Sequence, residues 1–438
     1  MVTIPRCRLL SKGPFPKWGQ VGQVTSEVPR TEVVLQERTY IRDLARRYVD
    51  ICRRPEQAQR RQLWRRHNSL RQTRPPIYIR AFAWHEMPDS QPRCQDPLWR
   101  QMEDFFRRHL FWDRLGDDSV FEPWVTVRAQ HVCSGWGVPL ERQRTNDLHG
   151  SFKVDYPIRD PADMGKLLPP RHEIDETRTA ENLARVQECL GDLIDVDVDR
   201  GPAYWTWSAD LSTDLGYLRG IEHFMVDMID RPQWLHDLLG FMSEGVQRAQ
   251  RQAEEEGDLG LTSHYNQAMA YAEELDDPVA NQHGVSRSQL WCFTAAQEFT
   301  GVSPQMHEEF LLQHQLPIMQ QFGLVAYGCC EDLTDKITML RQIPNLRRIA
   351  VSPFADVERC AQQIGRDYVF SYRPSPTDMV GYGLDHERVR QLLRQDLMAC
   401  RDNFVDITLK DVETVEGDPQ RVRQWVAMCR QVIDEVFI

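Results

Sequence analysis

FGLVAYGCCEDLTDKITMLRQIPNLRRIAVSPFADVERCAQQIGRDYVFSYRPS, residues Phe322 to Ser375, holds three short β-rich runs: Leu324 to Tyr327, Arg348 to Val351 and Tyr368 to Tyr372. Between the last two, Asp356 caps a helix whose apolar face is Val357, Cys360, Ala361 and Ile364, and Gly365 can close it in the left-handed conformation. Strand then helix, repeated, means parallel strands joined by helical crossovers.

The same rhythm extends in both directions. Downstream, Asp385 opens a helix buried through Val389, Leu392 and Leu393, the run Val405 to Leu409 reads as a strand, and Asp418-Pro419 opens a last helix striped by Val422, Trp425, Val426, Cys429, Val432 and Ile433. Upstream, further strands are expected at Ile77 to Phe82, Tyr204 to Ser208, Leu261 to Asn266 and Leu290 to Thr294, and Ser303-Pro304 is a helix start. Eight strands fit an open doubly wound sheet or a closed (β/α)8 barrel. Neither G-x-G-x-x-G nor G-x-x-x-x-G-K-[ST] occurs, which favours the barrel. The expected class is thus α/β, a TIM-like (β/α)8 barrel over residues 75–438. Residues from about 84 to 203, with a strand-like Trp124 to Gln130, are read as an insertion capping one end.

Residues 1–74 form an N-terminal extension: an arm of about 30 residues, a helix with Ile41, Leu44, Ala45, Tyr48 and Ile51 on one face, and a second helix from Glu56 to Leu70. Between Arg53 and Arg74 there are eight Arg and one acid, Glu56. That run is either a solvated face or a dock for an acidic partner.

Composition excludes several classes. Lys and Arg number 53 against 65 Asp and Glu, a net charge of −12 that argues against general nucleic-acid binding. No apolar run approaches the length of a membrane span, and the start lacks the apolar core of a signal peptide, so a cytoplasmic location is expected. Eleven scattered Cys, an odd number, make no disulfide framework.

In a (β/α)8 barrel chemistry sits at the C-terminal ends of the strands. Those positions supply His264, Tyr265, Asn266 and Gln267; Gln297 and Glu298; Tyr327, Cys329, Cys330 and Glu331; Ser352, Tyr372 and Arg373; and Lys410 and Asp411. The density of soft and acidic ligands exceeds what polar loops deliver by chance. Neighbouring side chains on a strand point to opposite faces, so Cys329 and Cys330 are not assumed to share one metal ion, and no paired C-x-x-C zinc signature is present.

With those residues stands a wider likeness. Phe322 to Ser375, Gly220 to Leu239, Gln297 to Phe310 and Ile407 to Trp425, in that combination, resemble the uroporphyrinogen decarboxylase superfamily, especially its decarboxylase-like and corrinoid-dependent methyltransferase branch. The resemblance covers most of the chain after Arg74 and implies a TIM-like barrel. It also implies two carboxylate-holding Arg four residues apart on the first strand. In PIYIRAFAWHEM, Arg80 fills the first position and Trp84 the second, which removes one guanidinium fork and speaks against uroporphyrinogen itself as substrate.

For the methyltransferase members the resemblance implies zinc held by a His-x-Cys pair and a Cys near the final strand. Here Cys329 matches the first Cys, Tyr327 stands in place of His, and the last position reads Lys410 or Asp411. A rebuilt zinc set would draw on His264, Glu298 and Cys329, with Cys330 or Glu331 as substitutes. A corrinoid would ride on a separate carrier protein, since Asp147-Leu148-His149 does not continue into the D-x-H-x-x-G cobalamin motif. The Arg53 to Arg74 run would serve that carrier, and a homodimer is left open.

Two reactions follow. The first moves a methyl group from a small O-, S- or N-methyl compound to the corrinoid, with Glu298 and Glu331 as ligands or proton donors and Tyr327 and Lys410 stabilising the anion. The alternative is a metal-free decarboxylase or C–C lyase, with Arg80, Arg373 and Lys410 holding an acid and Asp411 or Tyr327 moving protons. Trp84, Asn266, Gln297 and Tyr372 complete the expected substrate contacts. A non-catalytic binding protein on the same scaffold is the third reading.

Overall fold

A computed structural model describes residues 31–80, 82–132, 135–144, 152–204, 210–381 and 383–437. Its strands are β1 (Ile77–Ile79), β2 (Trp124–Arg128), β3 (Glu141–Arg144), β4 (Phe152–Asp155), β5 (Asp195–Asp199), β6 (Trp291–Thr294), β7 (Leu324–Tyr327), β8 (Leu346–Val351), β9 (Val369–Tyr372) and β10 (Phe404–Leu409). Six of them form one parallel sheet in the order β1-β10-β9-β8-β7-β6, curled into a half-barrel. β2 pairs in parallel with β5, and β3 pairs antiparallel with β4.

The helices between β6 and β10 lie where the caps placed them, with the Asp356 carboxylate accepting from Arg359 N and Asp385 from Glu387 N and Arg388 N. One expected strand falls on residues that are not described, and one differs. Residues 205–208 of the Tyr204 to Ser208 run lie outside the described residues. Leu261 to Asn266 is a single 3-10 turn, Leu261–Ser263, followed by loop. The loop has a local cause: Asn266 Oδ1 accepts from Ala268 N at 2.8 Å, closing an Asx turn that competes with an extended ladder. Within the insertion, β2 confirms the strand-like reading, whereas β5 was unforeseen; its DVDVD alternation buries Val196 and Val198 and also Asp197.

Alternation sorts the sheet's side chains. On the inner face Trp291, Phe293, Leu324 and Ala326 pack together with Ala272 and Cys329. On the outer face Val325, Tyr327, Ile349, Val351, Phe370 and Tyr372 join the main core under the helices. Near the N-terminal ends of the strands the inner face is ionic. Asp406 accepts from Arg348 Nη2 at 2.8 Å, Ser371 Oγ at 2.9 Å and Thr408 Oγ1 at 3.1 Å, and lies 3.1 Å from His67 Nε2. Arg348 Nη1 also donates to Asn68 Oδ1 at 2.7 Å. His67 and Asn68 end the helix Pro55–Asn68, so that helix plugs this end of the half-barrel.

The basic run belongs to the plug. Arg54 pairs with Asp113, Arg61 with Glu122, Arg65 with Asp277, Arg71 with Glu273 and Arg74 with Asp118, while Arg60 donates to Ser119 O at 2.8 Å. It therefore clamps the extension onto the body. Among the described residues no helix is long and apolar enough to cross a membrane.

Asp406 and Arg348 are both essentially inaccessible, so removing one partner strands the other charge. Asp406→Ala is expected to destabilise the fold by about 3–5 kcal/mol in urea denaturation. Burial alone would raise the Asp406 carboxyl, but Arg348 and His67 hold it at about 2, below the ordinary ~3.9. Its stabilising contribution is therefore complete above pH ~4 and falls away as pH drops toward 2. The alanine variant should lose that part of the acid transition.

Candidate functional site

Parallel strands put all their C-terminal ends on one edge, and several of the expected residues meet there. Gly328, at φ +98°, turns the chain out of β7; a Cβ would lie 2.7 Å from Leu333 Cδ1 and 3.2 Å from Ala350 Cβ, so the turn requires glycine. It delivers Cys329 and Cys330 with their sulfurs 3.7 Å apart. From the end of β10, Lys410 Nζ reaches Cys330 Sγ at 2.9 Å and Cys329 Sγ at 3.5 Å. The same ammonium pairs with Asp411, whose Oδ2 lies 3.5 Å from Cys330 Sγ. Arg373, after β9, donates through Nη1 to the carbonyls of Gly328 (3.2 Å) and Cys329 (3.0 Å), and its buried Nε meets no partner among the described residues. Arg80, after β1, donates to Tyr265 OH at 2.9 Å.

The charges act on one another. The neighbouring Cys330 thiol and the cations of Lys410, Arg373 and Arg80 hold the Cys329 thiol well below its usual range against burial, while Cys330 is pushed up by Cys329 and by burial. The pair thus releases its first proton readily and keeps its second. Lys410, though buried, is held in its charged form by Cys329 and Asp411, and Asp411 is held below the carboxylate range by Lys410 despite burial.

A second cluster lies around Glu298. Its carboxylate accepts from Ser212 Oγ at 2.7 Å, beside Asp210 and Asp214. Burial and like charge raise Asp210 well above the usual range, and burial raises Asp214 to about 6 although Trp136 Nε1 donates to it at 2.8 Å. Asp210 and Asp214 were missed in the sequence; only the cap-like STD spacing around Ser212 marked the loop.

Other expected residues have different places. His264 is at the opposite end: its Nδ1 accepts from Trp291 N, the first residue of β6, at 3.3 Å, and burial lowers it to about 4. Tyr327 and Tyr372 face outward because of strand alternation; Tyr327 OH donates to Gln315 Oε1 at 3.0 Å and Tyr372 OH pairs with Asp396. Glu331 straps two loops, accepting from Ala296 N at 2.7 Å and Cys329 N at 2.8 Å. Trp84 packs on Phe111 and Trp112 and donates to Asp104 at 2.9 Å. Asn266 is committed to its turn, and Gln297 opens the 3-10 turn Gln297–Phe299 that carries Glu298.

Zinc does not fit the thiols. An ammonium occupies the space beside both sulfurs and two guanidiniums add to the positive field, while Glu298 is engaged elsewhere and His264 sits at the far end of β6. Among the described residues, the one group of His, Cys, Asp or Glu spaced for a metal is His172, Glu256 and Asp258, and there Asp258 already pairs with Arg200. No protein-family model matches the chain, and no curated protein matches it.

If Lys410 sets the charge of the thiol pair, the first iodoacetamide alkylation of the Cys329-Cys330 pair should show a midpoint below the ordinary thiol value of ~8.5. Lys410→Met should move that midpoint upward. Equal midpoints in the two proteins would deny the cation its role.

Proposed function

We propose that the chain is an enzyme of the decarboxylase or C–C lyase class acting on a small carboxylated substrate at the C-terminal edge of a closed parallel barrel. The observation that carries this reading is that Arg373 and Lys410 contact the Cys329-Cys330 turn and Arg80, bonded to Tyr265, adds its charge to theirs on Cys329, cations placed for an anionic ligand and not for a dication. The resemblance to the uroporphyrinogen decarboxylase superfamily points the same way. Ring closure is supported by a chain of hydrogen bonds across the gap in the sheet. Asp118 N donates to Ile77 O at 2.8 Å beside β1, β2 pairs with β5, Thr262 Oγ1 donates to Asp197 Oδ2 at 2.8 Å, and Trp291 N donates to His264.

In this reading Arg80 and the unpartnered Nε of Arg373 take the substrate carboxylate. As the carbon–carbon bond breaks, its electron pair stays on the substrate, and the Lys410 ammonium stabilises the charge developing there. Lys410 then supplies the proton to that carbon, and Asp411 orients the ammonium. Tyr327 has no part, because it faces the helices. Methyl transfer to a corrinoid would need a metal on the leaving heteroatom, which the cation-lined thiols do not fit.

Calorimetry with malonate and succinate as probes should detect binding. Arg80→Gln and Arg373→Gln should each weaken it at least about tenfold, or ~1.4 kcal/mol. Carbon dioxide release from a panel of small acids should persist in EDTA. Activity lost on chelation and restored by zinc would overturn the reading in favour of the methyltransferase.

A further inference from the structure

We propose that Cys330 is a hydroperoxide-reactive thiol whose oxidised sulfur is captured by the Lys410 amine, so that Cys330 and Lys410 form a covalent modification site. The inference uses side chains of the proposed active site but rests on their distances alone, whichever substrate the enzyme takes.

Three observations converge. Cys330 is the accessible member of the pair: it is half-buried, whereas Cys329 is 4% exposed. Its sulfur has the Lys410 cation 2.9 Å away, which favours the thiolate form that attacks peroxides, and lies 3.7 Å from the Cys329 sulfur, with which it shares the one proton the pair readily releases. The nucleophile able to intercept the product is already in contact, since Lys410 is held on the sulfur by Asp411. The obvious competitor, a Cys329–Cys330 disulfide, is disfavoured by covalent geometry. Adjacent Cα atoms are about 3.8 Å apart across a trans peptide, short of the ~4.4–6.8 Å that unstrained disulfides span.

The chemistry closes without any further reagent. The Cys330 thiolate attacks one peroxide oxygen, the O–O bond breaks, and the leaving oxygen takes a proton from the Lys410 ammonium. The products are a sulfenic acid, an alcohol or water, and a neutral amine. The amine nitrogen then attacks the sulfur, the S–O bond breaks, and the hydroxyl departs as water with a proton from the nitrogen. Sulfur is oxidised by two electrons, peroxide is reduced by two, and an S–N bond joins the side chains. The link withdraws both the cation and the thiol from the mouth, and an external thiol can reduce it.

The test is mass spectrometry of the full chain after a slight molar excess of hydrogen peroxide, with peptide mapping under non-reducing conditions. The expected result is loss of two hydrogens, with the peptides of Cys330 and Lys410 joined and the link reversed by dithiothreitol. Cys329→Ser should keep the link and Cys330→Ser should abolish it. Lys410→Arg, which retains the charge but not the nucleophile, should instead leave a dimedone-reactive sulfenic acid on Cys330. Thermal melts by circular dichroism establish that each variant is folded. The proposal is overturned if Cys329→Ser abolishes the mass change while Lys410→Arg retains it, the mark of a disulfide, or if the wild-type protein gains no modification at Cys330.

Discussion

A single buried carboxylate, Asp406, organises the closed end of the half-barrel. It draws hydrogen bonds from β8, β9 and its own strand and meets the imidazole at the end of the plugging helix, so four elements share one charge. The cost of burying an ionised group is met only when every partner is in place. Strand register, the seat of Pro55–Asn68 and the attachment of the Arg-rich run are therefore coupled. Moving any one of them leaves the others with an unmatched charge.

The opposite edge of the same strands has a different electrostatic balance. There Lys410, Arg80 and Arg373 face Asp411, Glu331 and a pair of thiols that releases one proton readily. The three cations beside the thiols are what distinguish this mouth from a metal centre, and in the proposed function they receive an anionic substrate. Glu331 keeps the arrangement in register by joining the loops after β6 and β7 through two backbone N–H groups. The acidic cluster of Asp210, Asp214 and Glu298 lies beside the loop after β6, so this edge carries regions of opposite sign.

Cys329, Cys330, Lys410, Asp411 and Arg373 could be gathered from the sequence because parallel topology sends the residue after every strand to one edge. His264 was misplaced by the same rule, since the run it was thought to end is no strand; an Asx turn at Asn266 took its place. Tyr327 and Tyr372 were misassigned because the last residue of a strand faces in or out according to register, and register is a long-range property.

The sequence by itself determined the alternation of strand and helix, the caps at Asp356 and Asp385, and the α/β class, because apolar period and capping act within a few residues of one another. It also determined which residues follow the strands from β6 to β10. Tertiary structure alone decided that the Arg-rich run clamps the extension, that a lysine lies between two thiols, and that Glu331 binds backbone. Each of these is a contact between segments tens to hundreds of residues apart. Such contacts depend on the mutual register of packed elements, which no local pattern encodes.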